Sequence, residues 1–137
     1  MSINLLGKRV ISCKKCDRLV HFREKIAREK RKSFYDWKYW GKPVPGYGSK
    51  NSKLMILGLA PAAHGGNRTG RVFTGDKSAD FLFKCLHHVG LSNQPTSEHR
   101  NDGLELAGYM TAAVKCVQPV DKPTPHEKAN CEVFLDE

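Results

Sequence analysis

Leu54-Met-Ile-Leu-Gly-Leu59 is a short, unbroken apolar run that leads at once into a glycine-rich stretch, residues 60–76. Such a run reads as a strand buried on both faces, because a strand with one wet face alternates apolar and polar residues. Over residues 77–89, Leu82, Cys85, Leu86 and Val89 mark a helix, with Gly90 in the position that commonly ends one. Cys85, on that apolar face, is expected to be a buried thiol. Gly108-Tyr-Met-Thr-Ala-Ala-Val114 reads as a second buried strand. Two buried strands around one helix predict a βαβ unit, hence a parallel sheet and an α/β fold. A chain of 137 residues fits one domain, residues 1–137, around one core.

Around this unit the chain alternates punctuation and helix. Asp17 is placed to cap a helix in which Leu19, Phe22 and Ile26 recur at helical spacing, while Arg23, Lys25, Arg28, Lys30 and Arg31 cover the rest. Residues 34–52, FYDWKYWGKPVPGYGSKNS, read as an irregular loop anchored by Trp37 and Trp40. Residues 92–103 are polar and read as a surface connection. Thr124-Pro-His-Glu127 has the spacing of a capping box with proline at the first helical position, so a helix carrying Cys131 should start there.

The net charge of +9 is unevenly placed. Residues 8–32 hold eleven Lys and Arg against three acids, whereas residues 98–137 hold eight acids against four bases. This asymmetry favours a basic surface facing a polyanion, nucleic acid first, over a diffuse solubility charge. No apolar run approaches the roughly 20 residues that cross a bilayer, so no membrane partner is expected and a cytoplasmic, nucleoid-associated location is.

Five cysteines are present: Cys13, Cys16, Cys85, Cys116 and Cys131. An odd count without a signal peptide argues against a disulfide framework and for metal ligation or buried thiols. Cys13 and Cys16 form CxxC, and Cys116 and Cys131 complete a four-cysteine set. By spacing alone Zn²⁺ is the commoner use of four cysteines, yet a zinc ribbon pairs CxxC with a second CxxC, which is lacking here. A thioredoxin-like redox motif is disfavoured, because it needs no further cysteines.

Residues 60–76 follow a strand, where open α/β sheets bind their ligands. Gly65, Gly66 and Gly70 would let backbone N–H groups approach an anion, but the stretch matches neither G-x-x-x-x-G-K-[ST] nor G-x-G-x-x-G. The whole string GLAPAAHGGNRTGRVFTGD, residues 58–76, closely resembles the first motif of family 5 uracil-DNA glycosylases. It is preceded by YWGKPVPGYG and followed by TAAVKC and DKPTP, so the resemblance runs from Cys13 to Cys131.

The resemblance implies a three-layer α/β/α fold with a parallel central sheet. It also implies a [4Fe–4S] cluster on Cys13, Cys16, Cys116 and Cys131, with Zn²⁺ as the alternative. The implied partner is DNA containing uracil or another deaminated base, and the implied state is a monomer. The implied activity is to flip the base out of the duplex and hydrolyse its N-glycosidic bond, leaving an abasic site. Phe73 matches the aromatic residue that stacks on the flipped base; the alternative is a core phenylalanine. Asn67 and Asp76 are the polar groups available for positioning water or stabilising charge on the sugar, or else a loop anchor and a helix cap respectively. Ala60 matches the family's replacement of a polar residue, which fits a broad tolerance of damaged bases. His64 is expected at the base or a phosphate, and Arg68 and Arg71 at phosphate, unless they are plain surface residues.

Two departures qualify the match. Asp121 stands where the family carries Asn before Lys-Pro-Thr-Pro, at a position expected to meet the base. Family members also run on past the fourth cysteine to a His-Pro-Ser motif, which does not occur in these 137 residues. The chain is therefore expected to be the N-terminal, C-terminally truncated portion of the family domain. The alternatives are a non-catalytic iron–sulfur DNA-binding fragment and a zinc-stapled nucleic-acid-binding module.

Overall fold

The computed structural model describes residues 3–119 and 122–135. Two helices come first, α1 (Ile3–Ile11) and α2 (Asp17–Glu29), and a short strand β1 (Tyr47–Gly48) follows. The strand β2 (Met55–Gly58) leads through a one-turn helix α3 (Gly66–Thr69) into α4 (Lys77–His88). Strand β3 (Tyr109–Ala112) and helix α5 (Pro125–Leu135) complete the order.

The expected βαβ unit is present. Strands β2 and β3 pair in parallel, Met55 opposite Tyr109 through Gly58 opposite Ala112. The contact continues where Ala113 N and Val114 N donate to the carbonyls of Gly58 and Leu59, at 2.8 and 2.9 Å. The α/β class therefore holds, with a small sheet of order β1-β3-β2 whose third strand, β1, pairs antiparallel with β3. That strand lies in the stretch read as irregular loop, and its two residues are too few to leave a periodic signal.

Burial separates the two parallel strands. Met110, Thr111 and Ala112 of β3 are buried, and Met110 joins Val44, Val72, Phe83, Leu86 and Leu106 in the main core. β2 was expected to be buried on both faces and is not: Leu54, Met55, Leu57 and Leu59 are each 41–51% exposed. The exposure alternates along the strand: Met55, Leu57 and Leu59 take one face, while Ile56 takes the other and packs against the main core.

Helix α4 starts as expected, with Asp76 Oδ1 accepting from Ala79 N at 2.8 Å. Its buried stripe is Ala79, Phe83 and Leu86. Cys85 lies off that stripe and is exposed, contrary to its expected burial, as is Val89. Gly90 ends the helix with a positive φ of 82°. The capping box of α5 is reciprocal: Thr124 N donates to Glu127 Oε1 at 2.8 Å and Glu127 N to Thr124 Oγ1 at 3.1 Å. In α2, Cys16 rather than Asp17 takes the cap position, with no side-chain hydrogen bond. The 92–103 connection is not wholly superficial, because Ser97 is fully buried beneath it.

Candidate active site

Residues 60–76 leave the C-terminal end of β2 and fold back on themselves before entering α4. Residues 65–72 are buried although four of them, Asn67, Arg68, Thr69 and Arg71, are polar or charged. Such burial is tolerable only when the donors are satisfied internally. Arg68 Nη2 donates to Gly75 O at 2.8 Å, its Nε donates to His64 O, and its guanidinium lies 3.8 Å from the Phe34 ring centroid and 4.1 Å from that of Trp37. It therefore ties the start of the loop to its end. Arg71 meets both carboxylate oxygens of Asp102 at 3.0 Å, Ser97 Oγ at 2.8 Å and Thr74 Oγ1 at 3.0 Å. Burial works against the Asp102 carboxylate, but N–H groups of Glu98 and Leu104 and the Arg71 guanidinium outweigh it and hold its pKa below the usual value.

These contacts bear on three expectations. Arg68 and Arg71, expected at phosphate, have both guanidinium groups turned inward and engaged within the loop. Asn67 is fully buried; its Nδ2 donates to Arg23 O at 3.3 Å and so ties the loop to α2, while its Oδ1 has no hydrogen-bond partner among the described residues. The expected basic face of α2 is spent in part: Arg23 donates to Gly41 O at 3.1 Å and to Cys116 Sγ at 3.4 Å and Lys30 is engaged by backbone carbonyls, while Lys25, Arg28 and Arg31 are exposed; Arg18 beside them pairs with Glu127 at 2.7 Å.

What the loop presents outward is a cleft lined by Arg31, Phe34, His64, Gly65, Asp76 and Asp80 among others. His64 and Asp76 are brought together there. Tyr39 OH lies 2.8 Å from His64 Nδ1 and accepts from Arg31 N at 3.1 Å, which fixes the imidazole. Burial, with the charges of Arg31 and Arg68 nearby, pushes the His64 pKa down, favouring the neutral ring. Nothing in the aromatic-rich stretch 34–52 singles out Tyr39 in advance; only the fold supplies its partner.

Asp76 uses Oδ1 for the α4 cap, while Oδ2 faces Gly65, where a Cβ would clash with it. The cap thus occupies one of the two carboxylate oxygens. Phe73 holds a positive φ of 48°, a conformation costly for a side-chain-bearing residue and often kept at functional sites. Its half-buried ring lies against Gly58, where a Cβ would come within 2.9 Å of Phe73 Cζ. It packs on the main core and does not line the His64–Asp76 cleft. Ala60 packs against the second core, beside the cysteines. Asp121 lies outside the described residues.

Cys13, Cys16, Cys116 and Cys131 line one small cavity with Leu19, Arg23, Pro43 and Lys115. They come from the α1–α2 connection, the segment after β3, and α5. Burial pushes the Cys116 thiol up to about 11; Arg23 pulls against this, while Cys131 and Cys13 add to it. Burial likewise raises Cys131, with Cys16 and Cys13 adding to the shift. Four sulfurs close enough to repel one another as thiolates are what a cationic centre relieves. Two N–H donors already point at them, Arg23 at Cys116 and Asn130 Nδ2 at Cys16 Sγ, 3.4 Å away. The donor set therefore fits a thiolate-bound group, although among the described residues no three Cys, His, Asp or Glu side chains form a ready-made site for a single ion.

No helix among the described residues is long and apolar enough to cross a membrane. A type-5 uracil-DNA glycosylase of Mycobacterium bovis is 51% identical over 136 residues, which is 98% of this chain and 51% of that protein. One from Pyrobaculum aerophilum is 51% identical over 130 residues, 94% of this chain and 57% of that protein, and one from Thermus thermophilus is 50% identical over 121 residues, 88% and 54%. The chain thus spans about half the length of these curated relatives. The model of the uracil DNA glycosylase superfamily matches residues 45–137, which takes in β2, the loop at its end, β3 and two of the four cysteines, and the chain belongs to that superfamily.

Proposed function

We propose that this chain carries the uracil-recognising half of a DNA repair glycosylase, which rotates uracil or a related deaminated base out of DNA and hydrolyses its N-glycosidic bond. The observation that carries this reading is the self-supported loop at the end of β2, which holds His64 and Asp76 in one cleft and carries Phe73, at a positive φ, on the same loop. In such a hydrolysis the sugar develops positive charge and the base departs as an anion. Asp76 Oδ2, not consumed by the cap, is the carboxylate available to orient water or face the sugar cation. His64, its Nδ1 fixed on Tyr39, presents its other ring nitrogen toward the cleft as a neutral polar contact for base or sugar. Phe73, on the same loop though packed on the main core outside that cleft, is the residue proposed to stack on the base. DNA is the partner in this reading, and the location follows the DNA.

A [4Fe–4S] cluster on Cys13, Cys16, Cys116 and Cys131 would supply a covalent tie among the α1–α2 connection, the end of β3 and α5, and no chemistry at the base. A brown protein absorbing near 400 nm supports the cluster, whereas a colourless protein carrying one zinc replaces it. The activity is tested by incubating uracil-containing single- and double-stranded oligonucleotides with the protein and then treating them with alkali. Scission at the uracil alone is the expected result. Binding without scission by the metal-loaded protein overturns the catalytic reading and leaves a DNA-binding one.

A further inference from the structure

The charge pattern calls for a polyanion, yet the structure engages several of the bases first expected to meet it. Arg68 and Arg71 face inward, Arg18 and Arg23 serve α5 and the cysteines, and Lys30 Nζ donates to the carbonyls of Tyr35 and Trp37. Of the remaining charges on α2, Lys25 and Arg28 are exposed beside exposed Asp17, Glu24 and Glu29, so that surface carries no net excess.

Exposed bases also cluster away from α2. A second cleft is lined by Lys38, Trp40, Lys42, His99 and Arg100 and by no acidic side chain. Lys38, Lys42, His99 and Arg100 are all exposed, and neither described ion pair involves any of them. Trp40 is held at both ends, Nε1 on Pro43 O and backbone N on Arg68 O, each at 3.0 Å. Lys42 Nζ lies 5.3 Å and the Arg100 guanidinium 4.3 Å from the Trp40 ring centroid. The indole thus pre-orders two cations without neutralising them, which lowers the entropy lost when an anion arrives. This cleft shares a wall with the His64–Asp76 cleft: the Arg68 guanidinium lies on Phe34, which lines the one, and on Trp37, which lines the other.

We propose that the Trp40 cleft is a DNA-backbone contact, in which Lys38, Lys42 and Arg100 hold phosphates of the strand flanking the base that enters the His64–Asp76 cleft. The proposal rests on the glycosylase reading and adds a strand path to it. Phosphate contacts release counterions, so binding weakens with salt at a slope of about 0.7 per phosphate on single strands and about 0.9 on duplex.

The test is the dissociation constant of a fluorescent uracil-containing oligonucleotide, measured by anisotropy over a series of KCl concentrations. Lys42→Gln and Arg100→Gln should each lower the salt slope by about 0.7 on a single strand. Lys42→Arg and Arg100→Lys should restore it, and the pair Lys25→Gln with Arg28→Gln on α2 should leave it unchanged. An unchanged slope in the Lys42→Gln/Arg100→Gln double variant overturns the proposal. So does tighter binding of polyglutamate than of DNA, lost in the same double variant, which would give the cleft to an acidic polypeptide. Uracil excision is scored in parallel: excision with an unchanged slope sinks the cleft alone, and a lowered slope without excision sinks only the catalytic reading.

Discussion

Strands β2 and β3 are spelled alike, short and apolar, and run side by side in parallel, yet one is interior and the other is not. Met110 is fully buried between β1 and β2, while Met55 and Leu57 are each 51% exposed. The difference lies in place rather than in composition: β3 has a strand on each side and β2 on one side only among the described residues, and Met55 and Leu57 take the face opposite to Ile56, which pairs with Met110 and packs against the same core. Both strands nonetheless deliver something at their C-terminal ends. β2 opens into the loop that holds His64, Phe73 and Asp76, and β3 runs into Cys116. The loop is closed by its own arginines and does not draw on the open side of β2.

The largest expected contrast is in the two strands themselves. Met110→Ala should cost about 2–5 kcal/mol, as large-to-small changes in packed cores do, whereas Leu57→Ala should cost well under half of that. Chemical denaturation of both variants decides it, and equal costs would mean that the outer face of β2 is covered in solution.

Next in size is Gly58→Ala, at the point where β2 meets the loop. The new methyl must displace the Phe73 ring, an overpacking cost of about 1–3 kcal/mol. Uracil release should fall further than stability alone explains. Ala112→Gly, its partner in register on β3, should leave the Phe73 ring in place and weaken only the strand.

At the junction of loop and α4, Asp76→Ala should remove the cap at a cost of about 1 kcal/mol. Asp76→Asn, which keeps an accepting oxygen, should preserve the melting temperature and lose turnover. Loss of stability without loss of turnover in these variants would leave Asp76 as a cap only.

A smaller effect ties α5, which carries Cys131, to α2. The Arg18 guanidinium, against the opposing effect of burial and with help from Thr124, holds the Glu127 carboxyl down to about 2 from 4.5. A carboxyl depressed on folding stabilises the native state fully above its unfolded value and loses that contribution as pH falls through its folded value. The stability gap between wild type and Glu127→Gln should therefore be constant at neutral pH and shrink from about pH 4.5 down to about pH 2. Smallest of all, Leu57→Lys should change stability by no more than about 0.5 kcal/mol and reduce any self-association through the open edge, read by light scattering.

Much of this arrangement is legible in the chain. Apolar runs locate β2 and β3, the Thr-x-x-Glu box marks the start of α5, and the four cysteines read as one set line one cavity. What fails to show is whatever depends on a distant partner. Arg71 looks like a phosphate contact until Asp102, remote in sequence, is seen to clamp it. Arg23 looks like part of a basic face until the fold turns it toward Cys116. The exposure of β2 depends on what lies beside it, which no local pattern encodes. Helix α1 is the exception: Ile3, Leu6 and Val10 share its inward side, but Gly7 in the middle and the short length disguise the period.

The central claim is that the loop at the end of β2 presents a recognition surface with Phe73 as its stacking face. The most direct measurement pairs single-turnover uracil release with the DNA dissociation constant for Phe73→Ala. The account predicts that release slows by about tenfold or more, in keeping with roughly 1–3 kcal/mol per stacked base, while the dissociation constant barely moves. Equal losses in rate and affinity, or no loss in either, would contradict it.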